Sequence, residues 1–212
     1  VKVAICLLTA DRPAYTADTV LSYLNKAEEP GHIRLHADDG SERRDNLQIA
    51  AAGGFDTVYA TNERRGPVAA VKTMWTHAAA LGATHILHLE NDIELVAALP
   101  RFDVECVRLY GDRKARTGPR QMVGPHRMGT KDVIKWTEEF ADFRGNRWYR
   151  GRAHWSGMPS ITRTELLLRA IVHAETFKDI SLTLNAMDTL RPRDNLAWHV
   201  GDARTPGAKY NQ

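Results

Sequence analysis

Thr84-His85-Ile86-Leu87-His88-Leu89-Glu90-Asn91-Asp92 is the stretch on which the fold turns. It is largely apolar for the length of a strand and passes, with no turn residue between, into two carboxylates one residue apart. A run of this kind reads as a strand buried on both faces, as in a parallel sheet covered by helices. Just upstream, Val68 to Leu81 carries Val71, Met74, Trp75 and Ala78 at helical spacing and stops at Gly82. Further back the alternation repeats. Thr57 to Ala60 is a strand, Asn46 to Ala52 a helix broken by Gly53-Gly54, and Ile33 to Ala37 a strand. Thr16 to Lys26 is a helix with Val20, Leu21 and Leu24 on one side, ended by Pro30-Gly31. The chain begins with the strand Val1 to Leu8, which leads into Thr9-Ala10-Asp11-Arg12-Pro13. Strands alternating with helices predict an α/β fold: a mostly parallel twisted sheet with helices on both faces.

In such sheets ligands bind at the carboxyl ends of strands. Three polar clusters fall there: Thr9 to Arg12, Asp38-Asp39-Gly40-Ser41, and Glu90 to Asp92. Residues two apart on an extended chain point to the same side, so Glu90 and Asp92 can share a site. Their chemistry suits a hard divalent cation bound together with substrate phosphates, and equally suits a strand end facing water. Asp38 to Ser41 is a turn signal, or a set of acceptors for a nucleobase N–H or ribose hydroxyl. Near the C-terminus, His199 in Trp198-His199-Val200-Gly201 is a structural histidine or a nitrogen ligand for a metal at Asp92. The second half is less regular, with a loop-rich stretch from Gly111 to Gly157 and helices near Thr164 to Ala174 and Ile180 to Leu190.

The 212 residues, 43% of them hydrophobic and 26% charged, have the balance of a globular chain, which excludes disorder as the overall state. Two cysteines, Cys6 and Cys106, exclude a disulfide scaffold and a cysteine metal cluster. Apolar runs such as Val3 to Leu8 fall far short of the ~20 residues of a membrane helix. With no basic-then-apolar leader pattern, a cytoplasmic protein is expected. The net charge of +3 hides an asymmetry: residues 1–100 carry 9 basic and 13 acidic side chains, and residues 101–152 carry 13 and 7. That basic segment also holds Phe102, Tyr110, Trp136, Phe140, Phe143, Trp148 and Tyr149, a footprint of a nucleic-acid surface or of a solvated face over core aromatics. No Gly-x-Gly-x-x-Gly follows the first strand, and no Gly-x-x-x-x-Gly-Lys-Ser/Thr, His-Glu-x-x-His or Gly-x-Ser-x-Gly occurs. Kinases, common NAD enzymes and serine hydrolases are disfavoured.

Taken in order, the pieces resemble a GT-A-type glycosyltransferase, closest to the inverting transferases of family 2. Leu8-Thr9-Ala10-Asp11-Arg12-Pro13 followed by Leu21-Ser22-Tyr23-Leu24 is similar to that family's first strand, turn and helix. Ala37-Asp38-Asp39-Gly40-Ser41 matches its Asp-Asp-Gly-Ser, and Arg65-Gly66-Pro67 resembles the segment opening the helix before the metal strand. Ile86 to Asp92 is similar to the hydrophobic strand ending in Asp-x-Asp, with Glu90 in the first position. Trp155-Ser156-Gly157-Met158-Pro159-Ser160 with Arg163 resembles the loop bounding donor sugar and acceptor. Phe177 to Leu184 is similar to the helix start carrying the catalytic base, and Trp198 to Gly201 resembles a late His-x-Gly.

The resemblance implies one GT-A domain over 1–212, with a nucleotide-sugar half at 1–100 and a small antiparallel acceptor-side half at 101–212. It implies a hexosyl or pentosyl donor, UDP-linked by preference, contacted by Thr9, Asp11, Arg12, Asp39, Glu90, Asn91, Trp155 and Gly157. Mn²⁺ or Mg²⁺ would sit on Asp92 and His199, with Glu90 beside them. Asp179 would be the base of an inverting reaction, with Glu175 and Asp188 as rivals and a helix-capping role as its alternative. Arg144, Arg147, Arg150 and Arg152 around Trp148, Tyr149 and Trp155 suggest a DNA acceptor, a hydroxymethylated pyrimidine of the kind phage transferases decorate. A saccharide, protein or lipid-linked acceptor is the alternative. No membrane span and no obligate protein partner are expected. Outside this class stand a sugar nucleotidyltransferase and a non-catalytic nucleic-acid-binding module.

Overall fold

β1 (Val3–Thr9) is the inner strand from which the sheet grows in both directions. The computed structural model describes residues 1–42, 44–109, 136–142, 145–153, 155, 159–185, 187–192 and 196–199. The chain continues through α1 (Pro13–Lys26), β2 (Ile33–Asp39), α2 (Asp45–Ala52), β3 (Asp56–Thr61), α3 (Pro67–Ala80) and β4 (His85–Glu90). There follow β5 (Ile93–Leu95), β6 (Cys106–Arg108), β7 (Trp136–Ala141), β8 (Arg147–Ala153) and β9 (Ser160–Arg163). The rest is α4 (Thr164–Ile171), α5 (Phe177–Thr183), β10 (Met187–Pro192) and β11 (Ala197–His199). Among the described residues nine strands form one sheet in the order β3-β2-β1-β4-β9-β6-β10-β8-β7, and β11 pairs with β5 in a second. β3, β2, β1 and β4 are parallel, and β6 is parallel to β10. β9 runs against β4 and β6, and β8 runs against β10 and β7. The α/β sheet with helices on both faces is as the sequence predicted.

Alternation along the strands sorts side chains into two layers. Ala4, Cys6 and Leu8 with Leu35, Ala37 and Ile86 meet α3 and α4, where Val71, Met74, Trp75, Leu167 and Ile171 are buried. Ile5, Leu7, Leu87 and Leu89 face the other way, onto Val20 and Tyr23 of α1 and Phe55. Each layer draws on both halves of the chain: Cys106, Trp155 and Met187 join the first, Val107, Trp148 and Leu190 the second.

Several elements depart from the sequence expectation. α1 starts at Pro13, and its buried stripe is Thr16, Thr19, Val20 and Tyr23, leaving Leu21 55% exposed. The cause lies beneath it. Ile93 N–H donates to Thr19 Oγ1 (3.2 Å) and Leu95 N–H to Ser22 Oγ (3.0 Å), so hydroxyls on that face satisfy backbone donors of β5 that leucines would leave bare. The helix expected over Ile180 to Leu190 is α5 and then a strand, because β10 gains partners in β6 and β8. The loop-rich expectation for Gly111 to Gly157 gives way to the β7–β8 pair within its described part.

The basic segment also packs differently. Trp148 is 1% exposed, its indole donates to Asp142 Oδ2 (3.0 Å), and its ring lies edge-on to Phe102 at 4.8 Å. Trp155 is likewise in the core, edge-on to Trp75 (5.9 Å) and Phe177 (5.8 Å). Both rings serve packing, which corrects their expected roles in base stacking and donor contact. Tyr110, Phe143, Arg144 and Gly157 lie outside the described residues.

His88 sits within this aromatic group, 5.6 Å from Trp75 and 5.7 Å from Phe177, with no hydrogen-bond partner at either ring nitrogen among the described residues. Burial holds its pKa down at about 4 against 6.5 for a free histidine. Between those values the unfolded chain takes up a proton that the folded chain refuses, so stability falls with falling pH, by about 1.4 kcal/mol per unit. His88→Leu should flatten urea-melt stability against pH between 6.5 and 4.5 by that slope. An unchanged slope would show His88 already charged in the fold.

Candidate active site

The strand order places β2 and β4 on either side of β1. α1 and α2 then cover one face and α3 the other, which puts the topological switch point between β1 and β4. The residues at these three strand ends are joined to one another. Asp11 backbone O accepts from Asn46 Nδ2 (2.9 Å) and Asn91 Nδ2 (3.0 Å), and Asp11 N–H donates to Ser41 Oγ (2.8 Å). Its carboxylate accepts from Glu42 N–H (3.0 Å) and from Arg64. Thr9 to Arg12, Asp38 to Ser41 and Asn91-Asp92 therefore form one polar group.

The two aspartates of Asp38-Asp39 face opposite layers and do different work. Asp38 is 4% exposed and accepts from Thr9 Oγ1 (2.6 Å), Ser41 Oγ (2.6 Å), Ser41 N–H (2.9 Å) and Asn46 Nδ2 (3.3 Å). Burial pushes its pKa up, but the donors Ser41, Thr9 and Asn46 outweigh burial and hold it below the usual value. Thr9 gives its proton to Asp38, so its oxygen accepts from His36 Nε2–H (2.9 Å), and His36 Nδ1 is left to accept from Thr57 Oγ1 (2.9 Å). That fixes a neutral tautomer, in agreement with the His36 pKa, which burial lowers to about 4 despite the charge on Asp38. Thr9, expected on a donor, is thus buried in a structural chain of hydrogen bonds. Asp39 lies on the α3 side, 5% exposed, and accepts from Arg65 N–H (2.9 Å).

Asp11 and Arg12 both have φ of 52°, a left-handed conformation that costs non-glycine residues roughly 1–2 kcal/mol each. Arg12 Nη1 donates to Asp92 Oδ2 (3.0 Å) and Nη2 to Asn91 Oδ1 (2.9 Å). Asp92 is 3% exposed, and Glu90 is half-buried at the end of β4. The backbone of β11 pairs His199 with Ile93, next to Asp92, while the side chain of His199 lies outside the described residues. Among the described residues no group of three or more His, Cys, Asp or Glu is placed to hold a metal ion. Asp92 is engaged by the Arg12 guanidinium, and without the side chain of His199 the described residues do not complete the cation set expected at Asp92, Glu90 and His199.

Asp179 is not the N-cap. Thr176 is, and Asp179 stands at N3 of α5 in a capping box. Its Oδ2 accepts from Glu175 N–H (3.0 Å), Thr176 N–H (2.8 Å) and Thr176 Oγ1 (3.0 Å), which hold the carboxyl below its usual pKa. Of its rivals, Glu175 thus contributes its backbone to that cap, and Asp188 is engaged by Arg150 through Nε (3.0 Å) and Nη2 (2.7 Å).

A cavity of about 310 Å³ opens beside this group on the α2 side, lined by Asp38, Ser41, Arg44, Leu47, Ala60, Thr61 and Asn62. It includes neither Asp39 nor Arg12 nor Asp92, so cavity and switch point are separate places on one sheet end. Sequence reasoning overlooked Asn46 and His36. The only cue for Asn46 was a polar residue opening a helix just after Asp-Asp-Gly-Ser.

No family model and no curated protein matches the chain. Its fold is similar to that of solved structures. S. aureus TarS 1–349 has a TM-score of 0.57 at 14% identity over 93% of this chain and 60% of that one. The same protein in complex with UDP-GlcNAc has a TM-score of 0.57 at 12% identity over 97% and 62%. A mycobacterial protein has a TM-score of 0.51 at 14% identity over 92% and 65%. The chain thus spans about 60% of the length of the TarS structure, and at these identities the likeness establishes the fold. Among the described residues no helix is long and apolar enough to cross a membrane.

Gly40 holds the second cluster together. Its φ is +73°, and a Cβ there would meet Arg64 N at 2.4 Å and Glu63 C at 2.6 Å. Gly40→Ala should destabilise by at least ~2 kcal/mol, combining strain with a backbone collision. Gly31→Ala, with φ +89° but open space, should cost only ~1 kcal/mol. Equal losses in denaturant melts would rule out the close approach at Gly40.

Proposed function

We propose that the chain is a nucleotide-sugar-dependent glycosyltransferase that binds its donor at the switch point between β1 and β4. The observation that carries the reading is the joining of three polar strand ends, Asp11-Arg12, Asp38 to Ser41 and Asn91-Asp92, at the sheet end where such folds take ligands. Asp39 is the acceptor for the base, and the diphosphate lies over Arg12. The likeness in fold to a protein solved with UDP-GlcNAc supports a UDP-linked donor. Asp179 is the base. Its Oδ2 is fixed by three donors, and Oδ1 takes the proton of the acceptor hydroxyl as that oxygen attacks the anomeric carbon and the nucleoside diphosphate leaves. The acceptor is a hydroxyl compound. Among the described residues its assignment to a DNA base rests on charge and on the half-buried Tyr149, since Trp148 and Trp155 are core residues and Arg147 and Arg150 pair with Glu139 and Asp188.

The donor half is tested by thermal stabilisation with UDP, CDP and GDP. UDP at 100 times its Kd should add about 2.7 kcal/mol to stability. Asp39→Ala should weaken binding ~10-fold or more through loss of a charged acceptor. If no nucleotide stabilises the wild type, the reading fails.

For the base, Asp179→Asn should slow sugar transfer by ~10²–10⁴-fold with donor binding unchanged. A rate within a few-fold of wild type would leave Asp179 as a helix cap and nothing more.

A further inference from the structure

We infer that Arg12 is the resident cation of the Asp92 site: its guanidinium takes the place of a divalent ion and offers its charge to the donor diphosphate. The inference deepens the nucleotide-sugar reading and rests on it for the diphosphate, although its first test needs no nucleotide.

Asp92 is almost wholly buried, and a buried carboxylate stays charged only with a partner. One partner is Arg12, through Nη1 on Asp92 Oδ2 (3.0 Å), while Nη2 on Asn91 Oδ1 (2.9 Å) fixes the guanidinium plane from a second residue. Asn91 is itself anchored by Asp11 backbone O, so the fork is held in place rather than draped over the surface. The Arg12 side chain is 38% exposed against 4% for Asp92. Among the described residues it is the more exposed member of the pair. A guanidinium carries five N–H donors in a rigid fork suited to carboxylate and phosphate alike. Two turn inward here, and the guanidinium carbon lies 5.6 Å from the ring centroid of Tyr15 while the side chain as a whole stays over a third exposed.

The backbone carries a second sign. Arg12 precedes Pro13, and a residue before proline is normally extended, yet Arg12 is left-handed with φ 52° and ψ 56°. That conformation aims its side chain at Asn91 and Asp92. A divalent ion on Asp92 Oδ2 would lie within hydrogen-bond distance of the guanidinium, and two such positive charges exclude each other.

Mn²⁺ alone is titrated into nucleotide-free wild type, Arg12→Ala, Arg12→Lys and the Arg12→Ala/Asp92→Asn double variant, following free Mn²⁺ by its paramagnetic resonance signal and binding by melting temperature. Arg12→Ala should bind one Mn²⁺ at least ~10-fold more tightly than wild type, because a like charge is gone and a carboxylate uncovered. Arg12→Lys should behave as wild type, and the double variant should lose the gained site. Arg12→Gln, which keeps the stem and an amide donor, serves if the alanine variant does not fold. In chelator, wild type should bind UDP as tightly as with Mn²⁺, and Arg12→Ala should bind it only with Mn²⁺. Equal Mn²⁺ affinity in wild type and Arg12→Ala, or no Mn²⁺ site in either, overturns the inference. So does UDP binding to wild type that requires Mn²⁺, which would leave the nucleotide-sugar reading standing. A gained Mn²⁺ site with no nucleotide bound by any variant would do the reverse, removing that reading and supporting Arg12 as the occupant of the cation position.

Discussion

Asp38 and Asp92 are buried at the ends of β2 and β4, as is Asp39 beside the first, and the need to keep Asp38 and Asp92 charged organises this end of the molecule. An ion that loses its water must recover the lost solvation from donors or a counter-charge. Asp38 takes the first route, with hydroxyl, amide and backbone donors from Thr9, Ser41 and Asn46. Asp92 takes the second, with the guanidinium of Arg12. Either solution requires β1 to deliver its last residues between the two strands, so the parallel β2-β1-β4 arrangement and the chemistry at its end depend on each other.

The hydrogen-bond chain Thr57–His36–Thr9–Asp38 shows how far this constraint reaches. It crosses from β3 through β2 to β1, and each proton position follows from the next because the final acceptor is an anion. A charged His36 would carry a proton on Nδ1 as well, which would turn that bond round so that Thr57 Oγ1 accepts. Burial keeps the ring neutral and the carboxylate keeps the chain directed. The polar interior of this layer is therefore a scaffold, and on the proposed reading ligand contacts fall to Asp11 and Arg12 on its rim and to Asp39 on the other side of the sheet.

The alternating pattern in the first hundred residues carried the fold because β1 and β4 are largely apolar on both faces, β2 on one, and the helices between them on one. Tertiary pairing decided what period alone could not. Met187-Asp188-Thr189-Leu190 fits a helix end as well as a strand until β6 and β8 supply hydrogen-bond partners. Ser22 and Thr19 look like surface residues of α1 until the backbone of β5 comes under them. At the site, the joining of strand ends was legible because carboxylates recurred at the same place in each unit. The occupant of Asp92 was not, since the contact spans 80 positions in sequence and depends on a backbone conformation no residue pattern announces. Trp148 and Trp155 misled for a related reason: a ring beside arginines in sequence can turn to the opposite side of the strand.

The left-handed pair Asp11-Arg12 is the point where these strands of argument meet. Two consecutive residues in that conformation are costly, and the local return is small: the αL N-cap makes no side-chain cap to its helix, and Arg12 meets only the ring of Tyr15 and the N–H of Thr16 nearby among the described residues. What offsets it is distant. Asp11 is held by Ser41, Glu42, Asn46 and Arg64 from the β2 and β3 side, and Arg12 by Asn91 and Asp92 from the β4 side. The turn can take this shape only when both neighbouring strands are in place, which couples the geometry of the rim to folding of the whole parallel half. A charge placed by such a turn is positioned before any ligand arrives, and an electrostatic site is most effective when no reorganisation is left to do.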